Sequence, residues 1–387
     1  MELRFSADEE AFRDKARTWL AENVPRERRP HDGAALGEFD RAWQRTQHEG
    51  GWAGVSWPQE YGGLGLPLVQ QLIWYEEYAR AGLPDIDACF VGLAHAGPTL
   101  MARATDAQRS FHLPKILAGE VSWCQGFSEP QAGSDLASLR TYAERDGDDF
   151  VVSGQKIWTS YADAARYQEL LVRTDREAPK HRGISWLICD MHSPGITVRP
   201  IPTIDGSSHF CEVFYDEVRI PVDNVVGDIN DGWSVAMSTL SFERGTAFTV
   251  GQVQLAELTE QLAALARERT GSDGRPLIAD DEIAHAIATM RAEVAALRAM
   301  TYATVSRNAH RDLPGPEGSM VKLYFSEVRQ RLYRLAIDVL GDDALTRTDD
   351  DRPWVDEYLL SLSYSIGGGT SEIQRNIIGE RVLGLPR

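Results

Sequence analysis

Four cysteines in 387 residues, Cys89, Cys124, Cys189 and Cys211, show none of the paired spacings that bind zinc or carry dithiol chemistry. That excludes a metal site or a disulfide framework as the organising principle and leaves buried, reduced thiols as the expectation. Long apolar runs are missing too. Nothing approaches membrane-spanning length, and Met1–Glu10 has neither an apolar signal core nor a transit-peptide composition, which points to a cytoplasmic protein without membrane insertion. Positive charge is scarce: 40 Lys and Arg against 58 Asp and Glu leave a net charge of −18, with no basic run. A phosphate-tracking nucleic-acid protein is therefore unexpected, and any phosphate must be met locally. Internal repeats and low-complexity linkers are also absent. What remains is a chain with 43% hydrophobic residues and interspersed charge, able to bury a large core or split into two or three domains.

The hydrophobic period changes twice. From about Asp8 to Gly119 it is helical, with Phe12, Ala16 and Leu20, then Leu72, Tyr75 and Ala79, at three- and four-residue steps. From about Val121 to Val226 it becomes strand-like: Ile184–Cys189 is a short apolar run, while Gly195–Ile201 and Cys211–Tyr215 alternate, with Pro200, Pro202 and Pro221 as edges and turns. After Gly227 helical segments return at Trp233–Arg267, Asp281–Arg307, Gly318–Leu340 and near the C-terminus. An α+β protein in three parts follows, with boundaries at residues 1–119, 120–227 and 228–387.

Two segments carry the chemistry. Phe127-Ser-Glu-Pro-Gln-Ala-Gly-Ser-Asp135 has a glycine where backbone can approach a ligand, flanked by short hydroxyls at Ser128 and Ser134. Gly154-Gln-Lys-Ile-Trp-Thr-Ser160 follows, and Asp146–Asp149 between them reads as a turn entering a strand, so the two segments are expected to flank one β-hairpin. Each alone has a bland reading, a polar surface loop and a core tryptophan. Together, at this spacing, they resemble the paired flavin-binding segments of the acyl-CoA dehydrogenases, and the helical, β, helical order is similar to that fold over essentially the whole chain. The resemblance implies an N-terminal helical domain, a middle β domain and a C-terminal four-helix bundle, with FAD as cofactor. It implies that Phe127, Ser128 and Gly133 meet the flavin, that Ser134 lies toward the CoA end of the substrate, that Trp158 covers the flavin ring with Thr159 beside it, and that the Ser160 hydroxyl hydrogen-bonds near the hydride-accepting nitrogen. Relatives often carry Asn or Gly where this chain has Tyr161.

Removing an α-proton from a thioester needs a base, a hydride acceptor and carbonyl hydrogen bonds acting together. Many family members place a Glu before Gly-Thr near the C-terminus. This chain reads Ser365-Ile-Gly-Gly-Gly-Thr-Ser-Glu-Ile-Gln-Arg375, with Gly368 at that position. Glu372 lies four residues on, in a helix start where Ser371 and Gln374 have capping-box spacing. The resemblance instead gives Gly368 a backbone N–H toward the thioester carbonyl, and Thr370 and Glu372 a place at the flavin. A second branch of the family, including isovaleryl-CoA dehydrogenase, takes its Glu from the helix after the β domain, just before an Arg, and this chain has Phe242-Glu-Arg-Gly245 there. Glu243 is the resulting candidate base, with Arg244 and Ala247 on the substrate side. Gly251, one helical turn beyond Ala247, serves either close packing or ligand space.

Two departures bear on assembly. In homomeric relatives two segments reach the neighbouring subunit's FAD; here they read Arg269-Thr-Gly-Ser-Asp-Gly-Arg275 and Asp338-Val-Leu-Gly-Asp-Asp-Ala344, whose Asp342 and Asp343 repel a pyrophosphate. The pattern is similar to heterotetrameric members such as actinobacterial steroid side-chain dehydrogenases. The expected partners are an acyl-CoA or acyl-carrier thioester, an electron-transferring flavoprotein, and either three further copies or a related subunit in an α2β2 heterotetramer. A non-catalytic subunit supporting another dehydrogenase is the alternative from a different class.

Overall fold

Each change of hydrophobic period becomes a change of architecture in the computed structural model, which describes residues 5–83, 86–242, 249–308, 315–346 and 352–386. Helices come first: α1 (Ala7–Asn23), α2 (Gly33–Glu49), α3 (Leu68–Arg80), α4 (Asp87–Phe90), α5 (Gly97–Arg103) and α6 (Asp106–Leu117), with a π-helical turn, Val91–Ala96, between α4 and α5. Capping residues fix two of the starts. Ser6 with Glu9 and Thr105 with Gln108 form reciprocal capping boxes that satisfy the first free N–H groups of α1 and α6. Trp43, Trp52, Trp74 and Tyr78 fill the core between α1, α2 and α3, with Trp52 stacked on Trp74 at 4.6 Å.

Eight strands follow: β1 (Trp123–Gly126), β2 (Tyr142–Asp146), β3 (Asp149–Ser160), β4 (Tyr167–Arg173), β5 (Ile184–Asp190), β6 (Ile196–Ile201), β7 (Phe210–Pro221) and β8 (Val225–Val226). They form one sheet in the order β6-β7-β3-β2-β4-β5-β8, with β1 running parallel against β4. Period-2 alternation gives the sheet two apolar faces. Cys124, Leu170, Val172 and Val213 fill a core on one side, and Trp123, Phe127, Leu171 and Trp186 pack toward the first helices on the other. All four cysteines are buried free thiols. Asp146 pairs with Asp149 across the β2–β3 turn, as expected from the sequence. The flavin-like segments do not flank that hairpin symmetrically, however: Phe127–Asp135 precedes β2, whereas Gly154–Ser160 is the far half of β3 itself.

The last part is helical: α7 (Gly232–Phe242), α8 (Thr249–Glu268), α9 (Asp281–Asn308), α10 (Gly318–Leu340), α11 (Asp343–Thr346), α12 (Arg352–Tyr364) and α13 (Ser371–Ile377), ending in a π-helical turn, Ile378–Val382. Leu255, Leu262, Leu297, Phe325, Val328 and Leu332 are the shared core of α8, α9 and α10, and Trp354 and Tyr364 of α12 pack against it. The expected run Trp233–Arg267 corresponds to α7 and α8, with residues 243–248 outside the described chain. Gly251 is explained by packing: a Cβ there would lie 2.7 Å from the Phe325 ring of α10. Buried Glu76 joins the first and last parts, accepting from Arg13 of α1 and Arg298 of α9 at 3.2 and 2.8 Å. Among the described residues no helix is long and apolar enough to cross a membrane.

Candidate functional site

Three contacts stitch the two flavin-like segments together. The Ile157 N–H donates to the Ser128 carbonyl at 3.0 Å. The Lys156 ammonium donates to the Phe127 carbonyl at 3.1 Å and to the Glu129 carboxylate at 2.8 Å. Lys156 is 0% and Glu129 4% exposed, so this is a buried ion pair, and it persists because Glu129 also accepts from the Arg140 and Thr141 N–H groups at 2.6 and 2.8 Å and from Gln131 at 2.7 Å. Burial pushes the Glu129 carboxyl up, but the Lys156 charge and these donors hold it below the usual carboxylate range. Burial likewise pulls the Lys156 ammonium down, to about 8, against the attraction of Glu129. Neither residue had been singled out as a site residue. The available signal was the place of Lys156 in the strand's alternation, in phase with buried Phe150 and Val152.

The end of β3 is built unlike the rest of the strand. Register shifts between Lys156 and Thr159, and Trp158 takes a left-handed backbone, φ +60°, which is uncommon for any residue but Gly. The bulge turns the Trp158 side chain outward, 55% exposed, with its edge against Phe210 at 6.1 Å. Thr159 next to it is 1% exposed, and its Oγ1 has no hydrogen-bond partner among the described residues. Ser160 and Ser128 are half-buried, while Gly133 and Ser134 are exposed and a Cβ on Gly133 would meet nothing. Asp135, closing the first segment, pairs with Lys180 at 2.8 Å.

Tyr161 anchors the corner beyond Ser160. Also at positive φ, it stacks on His209 at 5.6 Å and donates to Asp87 of α4 at 3.3 Å. Arg29 binds Asp87 at 3.2 Å and grips buried Asp40 with two hydrogen bonds, so the corner is fastened to the first helices. Burial and then Asp87 push the Tyr161 hydroxyl well above its ordinary value, so it acts as a neutral donor. Tyr364, the last residue of α12, leads into the Ser365–Thr370 loop.

That loop turns at Gly368 and Gly369, with φ +67° and +92°. Thr370, not Ser371, caps α13, its hydroxyl accepting from the Ile373 N–H at 3.3 Å; the capping-box reading was one residue out of phase. Glu372 is exposed, 3.7 Å from Arg375. Glu243, Arg244 and Ala247 lie outside the described residues. Gly251 of α8 touches Phe325, whose ring is 6.2 Å from Tyr364. Of the two segments altered for assembly, one ties to the other: Arg269 pairs with Asp343 and donates to the Leu340 carbonyl at 3.3 Å.

The chain matches the acyl-CoA dehydrogenase N-terminal domain over residues 6–120, the middle domain over 124–218 and the C-terminal domain over 230–383. It is 41% identical, over 391 residues and 98% of both chains, to the acyl-CoA dehydrogenase IpdE1 of Mycobacterium tuberculosis (strain ATCC 25618 / H37Rv). The ChsE4-ChsE5 complex from Mycobacterium tuberculosis is structurally similar, with a TM-score of 0.86 at 34% identity over 100% of both chains. The Tcur3481-Tcur3483 steroid ACAD is similar to the same degree, 0.86 at 32% identity over 100% of both chains.

Proposed function

The chain belongs to the acyl-CoA dehydrogenase family, and we propose that it oxidises the Cα–Cβ bond of an acyl-CoA thioester with bound FAD, Glu243 acting as base. The observation that carries this reading is the strained, outward-turned Trp158 beside the half-buried Ser160 hydroxyl at the end of β3. A left-handed Trp costs about 1–3 kcal/mol, so the site suits a flat group that lies on the exposed indole and hydrogen-bonds at Ser160. An isoalloxazine ring has both properties. Phe127, Ser128, Gly133, Trp158, Thr159 and Ser160 would hold it, with Thr370 and Glu372 on the side of the glycine loop.

When bound, FAD supplies the two-electron acceptor for the hydrogen that leaves Cβ as hydride. The chain supplies the rest. Glu243 takes the Cα proton, the C–H electron pair becomes the new Cα=Cβ bond, and the loop at Gly368 offers backbone N–H to the thioester oxygen as charge gathers there. Gly368 has no side chain and Glu372 faces solvent beside Arg375, which favours Glu243 over Glu372 as the carboxylate. Arg244, Ala247 and Ser134 line the CoA side, and electrons pass on to an electron-transferring flavoprotein. The likeness to a steroid dehydrogenase favours a bulky, polycyclic acyl group. Glu243→Gln should fold and keep its flavin while substrate-driven flavin bleaching slows by about 10²–10⁴-fold, the usual weight of a general base. Bleaching at the wild-type rate would overturn the assignment.

An α2β2 heterotetramer is the assembly we favour. Arg269 is occupied by Asp343 rather than free for a neighbour's pyrophosphate, and the similar structures include two-component complexes. Expressed alone, the chain should purify with little flavin, and co-expression with a related subunit should raise occupancy. A fully flavin-loaded, active homotetramer would refute this.

A further inference from the structure

Lys322 of α10 is 4% exposed, and its ammonium donates to the Tyr364 carbonyl at 3.0 Å and to the Gly369 carbonyl at 2.7 Å. These two acceptors lie on either side of the Ser365-Ile-Gly-Gly turn. Buried Gln374 of α13 grips the same loop, donating to the Gly368 carbonyl at 2.9 Å and the Gly369 carbonyl at 3.4 Å. Two of the ammonium's donors are thus committed to the backbone of one loop, and because charge-assisted hydrogen bonds are short and directional they fix its geometry.

In a trans peptide the C=O and the following N–H point in opposite directions. With the Gly368 and Gly369 carbonyls drawn inward to Gln374 and Lys322, the N–H groups of Gly369 and Thr370 face the other way, on the exposed side of the loop. Two successive N–H groups with a positive charge behind them form a concavity for an electron-rich oxygen. We propose that Lys322 is the positioning residue of the glycine loop: it sets the direction of these N–H groups, which adjoin the Gly368 N–H, and lends the turn its field, so that the loop is ready for the thioester oxygen before substrate arrives. Gln374 is its partner in the clamp. The inference rests on the reading that this loop borders the acyl thioester.

Lys322→Met and Lys322→Arg test it, with Gln374→Leu loosening the clamp from the other side. Hydrogen exchange in the flavin-free chain reads the clamp directly: the Ile366, Gly367 and Ser371 N–H groups, bonded to Ser363 and Ser365 carbonyls, should exchange about tenfold faster in Lys322→Met and recover in Lys322→Arg. In the flavin-loaded assembly kcat should fall by about 10²-fold, as for a misplaced catalytic group, while KM changes by about threefold or less. If Lys322→Met does not fold, Gln374→Leu must show the same pair of changes. Unchanged exchange and kcat, or a loss confined to KM, overturns the proposal. A wild-type chain that takes up no FAD in any assembly refutes the functional reading instead, and the exchange measurement still judges the clamp.

Discussion

Replacing Lys156 by Met removes the ammonium that neutralises Glu129 at 2.8 Å and leaves a side chain of similar length in its place. Breaking one half of a buried ion pair costs about 3–5 kcal/mol, because the remaining charge has lost its compensation. Three donors still face Glu129, from Arg140, Thr141 and Gln131, so the lower end, about 3 kcal/mol, is the expected loss. Denaturant titration at pH 7 measures it. The pH dependence separates this cause from a simple packing defect. In the wild type the Glu129 carboxyl sits below its unfolded value, so its contribution is present above that value and is lost as pH falls through the folded pKa. In Lys156→Met burial is no longer opposed by the ammonium, the folded pKa rises, and stability is greatest below the unfolded value of about 4.3 and declines as pH rises. The gap between wild type and variant should therefore widen from pH 4 to pH 7. Adding Glu129→Gln should return part of the loss, since it removes the uncompensated charge, although the single amide oxygen accepts from only one of the Arg140 and Thr141 N–H groups. A loss under about 1 kcal/mol, as for a surface pair, or a double variant no better than the single one, refutes the reasoning.

Gly251→Ala gains about 1 kcal/mol of helix propensity but drives a methyl to 2.7 Å from the Phe325 ring, and overpacking of about 1–3 kcal/mol should leave the variant less stable in denaturant. Burial, aided by Lys115, holds His112 neutral with its pKa down to about 4, so the unfolded chain binds the proton first as pH falls. Stability should drop by about 3 kcal/mol between pH 6.5 and pH 4, and His112→Phe should flatten that slope. Ser160→Ala removes the half-buried hydroxyl at the end of β3; flavin titration should show about tenfold weaker FAD binding while the flavin-free chain unfolds as before. Equal FAD affinity would remove Ser160 from the site.

Much of the architecture is written in short-range pattern. The period-3.6 run Gly318–Leu340 became α10 with those ends, and the apolar run Ile184–Cys189 became β5 with one more residue. Such signals survive because they are decided within about four residues, by which face of a helix or strand must leave water. The flavin-like strings were legible for a similar reason: close backbone approach and hydroxyl contacts demand particular residues at fixed spacing. Gly251 was ambiguous in sequence because packing and ligand space both select glycine, and only Phe325, 74 positions away, decides between them.

Electrostatic partners were the part that sequence could not supply. Asp343 read as a charge that repels phosphate, yet it lies against Arg269, and Lys156 and Lys322, which carry no pattern of their own in sequence, are each buried and hold a loop of the candidate site. The residue after the Trp-Thr-Ser string was legible only as a departure, until Asp87 and Arg29 showed Tyr161 fastening the corner to the first helices. The sequence by itself determined the order of elements, the reaction family and the types of residue at the flavin strand. The tertiary structure alone decided which charges are buried and what they hold, because hydrophobic period is a property of neighbouring residues, whereas the energy of a charge depends on the water it loses and the partner that folding brings to it.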